Sequence, residues 1–221
     1  MTTVSRFCFL RWPLAGVALL LLATTWTTES RAQTPGNQLQ LNNQLSAILL
    51  TNTKVQKELN LTETQIAETA EPAQKLNREI MSLAFNPEYR DQPEKIQAMI
   101  GKIKEKEKEM LGRLNRQQQQ RLQQLFYQRL GLRLFQNVDV QKSLQLTKDQ
   151  EQKNQKILES LGNKMKAMIA TSASDPSSMV KQSKRLMAEA REAINQLLTE
   201  KQREQVAQMK GKPFAPFANQ Q

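Results

Sequence analysis

The sequence predicts an all-α chain made of two tandem helical hairpin units, each opened and closed by a capping-box helix start. Three observations predict it. No segment alternates with period two for long enough to make a strand. The phrase Val55-Gln56-Lys57-Glu58-Leu59-Asn60-Leu61-Thr62-Glu63-Thr64-Gln65 returns 85 positions later as Val140-Gln141-Lys142-Ser143-Leu144-Gln145-Leu146-Thr147-Lys148-Asp149-Gln150, with seven of eleven residues identical. The core of that phrase, Leu-Thr-x-x-Gln, stands at Leu61, Thr62 and Gln65 and at Leu146, Thr147 and Gln150. It recurs at Leu198, Thr199 and Gln202 and, in a degenerate form, at Leu114, Asn115 and Gln118. These residue types suit a helix start: the Thr or Asn N-cap accepts from the N3 amide, and the N3 Gln reaches back to the cap's own N–H. The leucine before the cap can staple to an apolar N4 residue. Only Ile66 is apolar there; Gln119, Glu151 and Arg203 are not, so the other leucines are expected to pack on neighbouring helices.

The chain opens with Arg6 and Arg11, an uncharged run over 14–23 and the small-residue pattern Ser30-Arg31-Ala32. This reads as a secretory signal peptide over 1–32, cleaved after Ala32, and so as a periplasmic or otherwise exported protein. The ten-residue run is short of the roughly 20 that span a bilayer, so no transmembrane anchor is expected after cleavage. Cys8, Trp12 and Trp26 leave with the signal, and the remaining 189 residues contain no Cys, Trp or His. Common nucleophile–base arrangements and transition-metal sites lack their usual ligands in such a chain. Glycine-rich phosphate loops are absent too. The expectation is therefore no enzyme, no metal and no cofactor.

Export also removes Arg6, Arg11, Arg31 and Glu29, leaving 29 basic against 20 acidic residues, a net charge of +9. Outside the cytoplasm that charge points to acidic proteins, envelope lipid or polyanion surfaces, and nucleic acid is not expected.

In order, 33–43 is a polar leader with Pro35 and Gly36. Leu45, Ile48, Leu49, Val55 and Leu59 at helical spacing predict a first helix over roughly 44–59, loosened in its middle at Asn52-Thr53. From Thr62 the stripe Ile66, Ala70, Ala73, Leu76, Ile80 and Leu83 predicts about six turns. It keeps its phase across Pro72, which predicts a kink, not a stop. Asn86-Pro87 and Gln92-Pro93 bracket a bend holding Tyr89. The return helix starts near Pro93 and carries Ile96, Met99, Ile100, Ile103, Met110 and Leu114. The glutamine tract at 117–120 shares its period with Leu122, Leu125, Phe126 and Leu130 and so belongs to a helix, which Gly131 is expected to end. The first unit is 44–133. The second, 134–210, repeats the order, with its bend over 171–178. The tail from Gly211, holding Pro213, Phe214, Pro216 and Phe217, is expected to fray or to dock its phenylalanines.

Four boxes in this order, in an exported, basic, all-helical chain, resemble the Spy/CpxP-like family of periplasmic stress proteins. The resemblance rests on Leu61, Thr62, Gln65, Leu114 and Gln118 in the first unit and Leu146, Thr147, Gln150, Leu198, Thr199 and Gln202 in the second; Asn115 replaces the threonine in one box, and the family subunit is doubled. It implies thin antiparallel hairpins. It further implies an ATP-independent holdase-type chaperone that grips partly unfolded exported proteins, or a modulator of envelope stress. From the residues, Met165, Met168, Met179 and Met187 are candidates for an adaptable client surface, and Lys164, Lys166, Lys184 and Arg185 for steering acidic clients. Core filling and a solvated face are the plainer readings of both sets. The rival function is a structural coiled-coil protein of the envelope that self-associates through its apolar stripes. Partners are thus unfolded or acidic exported proteins, with a homo-oligomer as a further expectation.

Overall fold

The computed structural model describes residues 45–85, 92–171 and 176–220. The expected signal peptide, the 33–43 leader and the bend around Asn86-Pro87 with Tyr89 lie outside them, as does 172–175 of the second bend. Among the described residues the fold is all-α, with eight α-helices, three 3₁₀ segments and no strand.

A 3₁₀ segment, Ala47–Thr51, leads to α1 (Thr53–Glu58), the long α2 (Glu63–Phe85), α3 (Pro93–Gly112) and α4 (Arg116–Leu130). A second 3₁₀ segment, Gly131–Gln136, leads to α5 (Val138–Ser143), the long α6 (Lys148–Thr171), α7 (Pro176–Leu197) and α8 (Glu200–Lys210). A third, Ala215–Gln220, closes the chain. The element order of the first half recurs in the second. Pro72 lies inside α2 without ending it, and α4 stops at Leu130 against Gly131, whose φ is 54°.

Two expected boundaries are corrected. The helix over 44–59 is broken in two at Asn52, where the backbone is extended and the side chain caps α1 by accepting from the Lys54 N–H at 2.9 Å. Asn137 does the same for α5, accepting from Asp139 and Val140. Asparagine competes in this way with a continuous helix, offering the backbone a side-chain partner in place of the next turn. A glutamine then ties each short helix to the 3₁₀ segment before it: Gln56 donates to the Leu50 carbonyl at 2.7 Å, and Gln141 to that of Phe135 at 2.8 Å. The second correction is the break between halves. Set between 133 and 134, it falls inside the 3₁₀ segment Gly131–Gln136; the element pattern restarts at Gly131, where positive φ lets the chain change helix type.

The end of each short helix explains the residues before the boxes. Leu61 N–H bonds the Gln56 carbonyl and Asn60 N–H that of Lys57, a Schellman closure with Asn60 in the left-handed region at φ 49°. Leu146, Gln141, Gln145 and Lys142 repeat it, with Gln145 at φ 51°. Asparagine tolerates this conformation better than glutamine does. Gln145→Gly is therefore expected to stabilise the protein by about 1 kcal/mol, and Asn60→Gly by less. Urea midpoints check the order, and equal gains at both positions would contradict it.

Long helices pair antiparallel. Gln65 at the start of α2 donates to the Arg113 carbonyl just past the end of α3, while Glu79, farther along α2, pairs with Lys106. Gln150, near the start of α6, likewise meets the Leu197 carbonyl at the end of α7. The buried apolar cluster draws on both halves, from Leu49, Leu50, Leu76, Ile103 and Leu122 to Leu134, Val140, Ile194 and Leu198. All of it lies within the compact unit Gln33–Gln221. The far part of the α6–α7 hairpin contributes little to this cluster, because its buried residues are Met168 and Leu186.

Glu107 on α3 holds the first 3₁₀ segment by accepting from the Ala47 N–H at 3.1 Å and the Ser46 hydroxyl at 3.3 Å. Burial raises its pKa above the ordinary glutamate value, and the bonds from Ala47 and Ser46 offset only part of that. A carboxyl with a raised folded-state pKa contributes stability below its unfolded pKa and loses it as pH rises through the folded value. Glu107→Gln keeps the acceptor and removes the charge. This variant is expected to be more stable than the wild type at neutral pH, with the gap closing in acid; a constant gap across pH would refute the assignment.

Candidate binding groove

The four boxes are the structural base of the site, and all four are formed. Thr62, Asn115, Thr147 and Thr199 accept from the N–H groups of Gln65, Gln118, Gln150 and Gln202 at 2.9–3.2 Å. Each glutamine Oε1 accepts in return from its cap's N–H at 2.9–3.1 Å. The glutamines also bond one another. Gln65 Nε2 donates to Gln118 Oε1 at 2.9 Å, and Gln118 Nε2 to Gln65 Oε1 at 3.0 Å. The second hydrogen of each amide goes to a chain end: Gln65 to the Arg113 carbonyl at 2.9 Å and Gln118 to the Leu59 carbonyl at 3.3 Å. Gln150 and Gln202 repeat the arrangement with each other and with the carbonyls of Leu197 and Leu144.

Each pair is a closed amide clasp in which both donors and the carbonyl oxygen of every side chain are used. Of the box leucines, Leu114 and Leu198 are buried in the core, and Leu61 and Leu146 are half-buried. Thus the motif does two jobs: it starts a helix and it bolts the two ends of each half together.

Between the halves lies an open groove of about 910 Å³. Its walls come from the first two 3₁₀ segments, α2, the last turn of α4, α6 and α7. Apolar side chains dominate, among them Ile48, Met81, Phe126, Leu158, Met165 and Met187, and the lining holds Arg129, Arg133 and Arg191 but no acidic residue. None of these arginines joins an ion pair among the described residues. Arg191 also stands near Lys210, whose pKa is lowered chiefly by burial and further by that guanidinium. The local potential is therefore positive, in a concavity whose apolar side chains are interspersed with Thr51, Asn52, Asn77 and Gln136. Such a surface attracts segments that combine apolar side chains with negative charge.

The sequence-based candidates divide. Met165 and Met187 line the groove, and Met187 is 39 % exposed. Met168 is only 4 % exposed, packed inside the fold, and is corrected to a core residue. Met179 is half-buried outside the lining, and Lys164, Lys166, Lys184 and Arg185 are exposed on the α6–α7 hairpin, also outside it. The groove arginines and Met81 were not anticipated. Arg129 and Arg133 flank Gly131 at the junction of the halves, and that bracketing was the available signal. Among the described residues no cluster of three or more His, Cys, Asp or Glu could hold a metal ion, and no helix is long and apolar enough to cross a membrane. No family model, curated protein or solved structure matches the chain.

Proposed function

We propose that the protein is an exported, ATP-independent holdase of the Spy/CpxP-like kind, a chaperone or envelope-stress modulator that holds partly unfolded proteins in the groove between its halves. The observation that carries this reading is the combination of an open, mostly apolar concavity with three arginines and no acidic residue on its walls. The methionines on its walls, Met81, Met165 and Met187, suit varied partners, because an unbranched thioether repacks at little cost. In this reading 1–32 directs export and is removed after Ala32, and the protein works by binding, with no reaction of its own.

The test is aggregation of an unrelated unfolding protein, followed by light scattering with and without the 33–221 chain and without ATP. Suppression is expected at low ionic strength, weakening as salt rises. The triple variant R129E/R133E/R191E is expected to need about tenfold more protein for the same effect. If wild type leaves aggregation unchanged and itself forms filaments, the envelope-scaffold reading takes its place.

A further inference from the structure

The duplication has left two hairpins on one plan whose far ends differ in chemistry. Residues 160–188, the distal part of α6–α7, carry five basic residues and one acidic, Asp175. The segment 85 positions earlier, 75–103, carries five basic and four acidic. Lys164, Lys166, Lys181 and Lys184 are exposed, and none is in an ion pair among the described residues; Arg185 pairs only with exposed Glu189 at 3.5 Å. Lys164 and Lys166 are two residues apart, about 200° around the helix axis. Positive charge therefore stands on two sides of α6 instead of lining one face.

Two β-branched aliphatic residues stand at the same end. Ile169 is 58 % and Val180 54 % exposed. Gln150 meets the Leu197 carbonyl at the base, so counting outward along both helices puts Ile169 about 28 Å and Val180 about 26 Å from the clasp, within one helical turn of each other along the hairpin. Ile169 follows buried Met168, and Val180 follows half-buried Met179. In an antiparallel pair, the residue one step after the seam falls on the same side of the hairpin from either helix. The two side chains thus face the same side of the hairpin, with exposed lysines on both helices.

We propose that this end of the α6–α7 hairpin is a peripheral docking element for an anionic lipid bilayer, with Ile169 and Val180 entering the headgroup boundary and the surrounding lysines lying on the lipid phosphates. A bilayer supplies both things the hairpin asks for: an apolar layer at its tip and negative charge on every side of it. A peptide in a groove needs charge on one face only, and a nucleic acid offers nothing to the two aliphatic side chains. Ile169, Val180 and the four lysines are outside the groove lining, although Leu161, Gly162, Met165 and Met187 of the same hairpin belong to it, and the inference stands whatever the groove holds.

The test is flotation of the 33–221 chain with vesicles of phosphatidylcholine alone or mixed with phosphatidylglycerol. Binding is expected to the anionic vesicles only and to fall as salt rises. K166Q/K184Q is expected to weaken it about tenfold or more. I169S/V180S is expected to weaken it about tenfold while leaving the urea midpoint and the suppression of aggregation as in wild type. V180W, in a chain otherwise free of tryptophan after Ala32, gives a second readout: its emission shifts to the blue on anionic vesicles. The proposal is overturned if the wild type ignores anionic vesicles at low salt. It is equally overturned if binding survives I169S/V180S and V180W shows no shift, since charge alone then explains the attraction.

Discussion

Gln118→Glu is expected to lower the unfolding free energy by about 3 kcal/mol at neutral pH, a large fraction of what a domain of this size possesses. The wild-type amide is 8 % exposed and gives its two hydrogens to the Leu59 carbonyl and Gln65 Oε1. A carboxylate keeps the acceptor that serves the Asn115 N–H but returns neither hydrogen. Two acceptors then face a buried negative charge, and the cost is that of an unsatisfied, partly charged site, not of one exchanged hydrogen bond. Gln202→Glu is expected to behave the same way in the second half, where Leu144 and Gln150 are the partners left without a donor.

The pH dependence identifies the cause. Burial among acceptors raises the new carboxyl's folded-state pKa, so stability returns as pH falls through that value and one O–H donor is restored. A helix-capping role alone predicts a much smaller loss, because glutamate serves a capping box as well as glutamine. Urea unfolding followed by circular dichroism across pH decides between them. Wild-type stability for Gln118→Glu at neutral pH would leave the clasp without energetic meaning.

That contrast marks how far the sequence could be read. Helix starts, the antiparallel long helices, the proline at the start of α3 and the glutamine tract inside α4 were legible because each follows from local rules of spacing and capping. The break at Asn52 was visible only as a weak spot, since side-chain competition with the helix depends on the 3₁₀ segment packing against α2. The clasp was missed although its signal was present. All four boxes carry glutamine at N3, never glutamate, and a donor at that place is useful only to a partner outside the helix. The groove was least legible of all. Its arginines come from α4, the junction and α7, and nothing in local periodicity brings Arg129, Arg133 and Arg191 to one concavity.

Removing 212–221 is expected to cost more than any single surface change, because, of the two outcomes the sequence left open for this Pro- and Phe-containing stretch, fraying or docking, it docks. Phe214 and Phe217 are buried and meet edge to face, with ring centroids 5.1 Å apart. Gln128, fully buried on α4, donates to the carbonyls of Lys210 and Lys212 and accepts from the Phe214 N–H at 2.8 Å. Arg121 joins the same lock, bonding the Lys212 carbonyl at 2.9 Å while pairing with Glu58 on α1. Gly211 turns the chain into this position with φ 59°, where a Cβ would strike the Gln124 side chain.

Phe217→Ala alone is therefore expected to lose about 3 kcal/mol. The truncation loses more, because Phe214 goes too and Gln128 gives up two partners. The consequence reaches the groove: the same α4 that carries the tail supplies Phe126, Arg129 and Leu130 to the groove wall. Loosening one side of the helix loosens the other, so under the proposed function the truncated chain is expected to suppress aggregation less well at temperatures where its far-UV signal is still native. If truncation leaves both the urea midpoint and the suppression of aggregation unchanged, the tail is not part of the fold that shapes the groove. If only stability falls, α4 keeps its place without the tail, and the groove is set by the clasps alone.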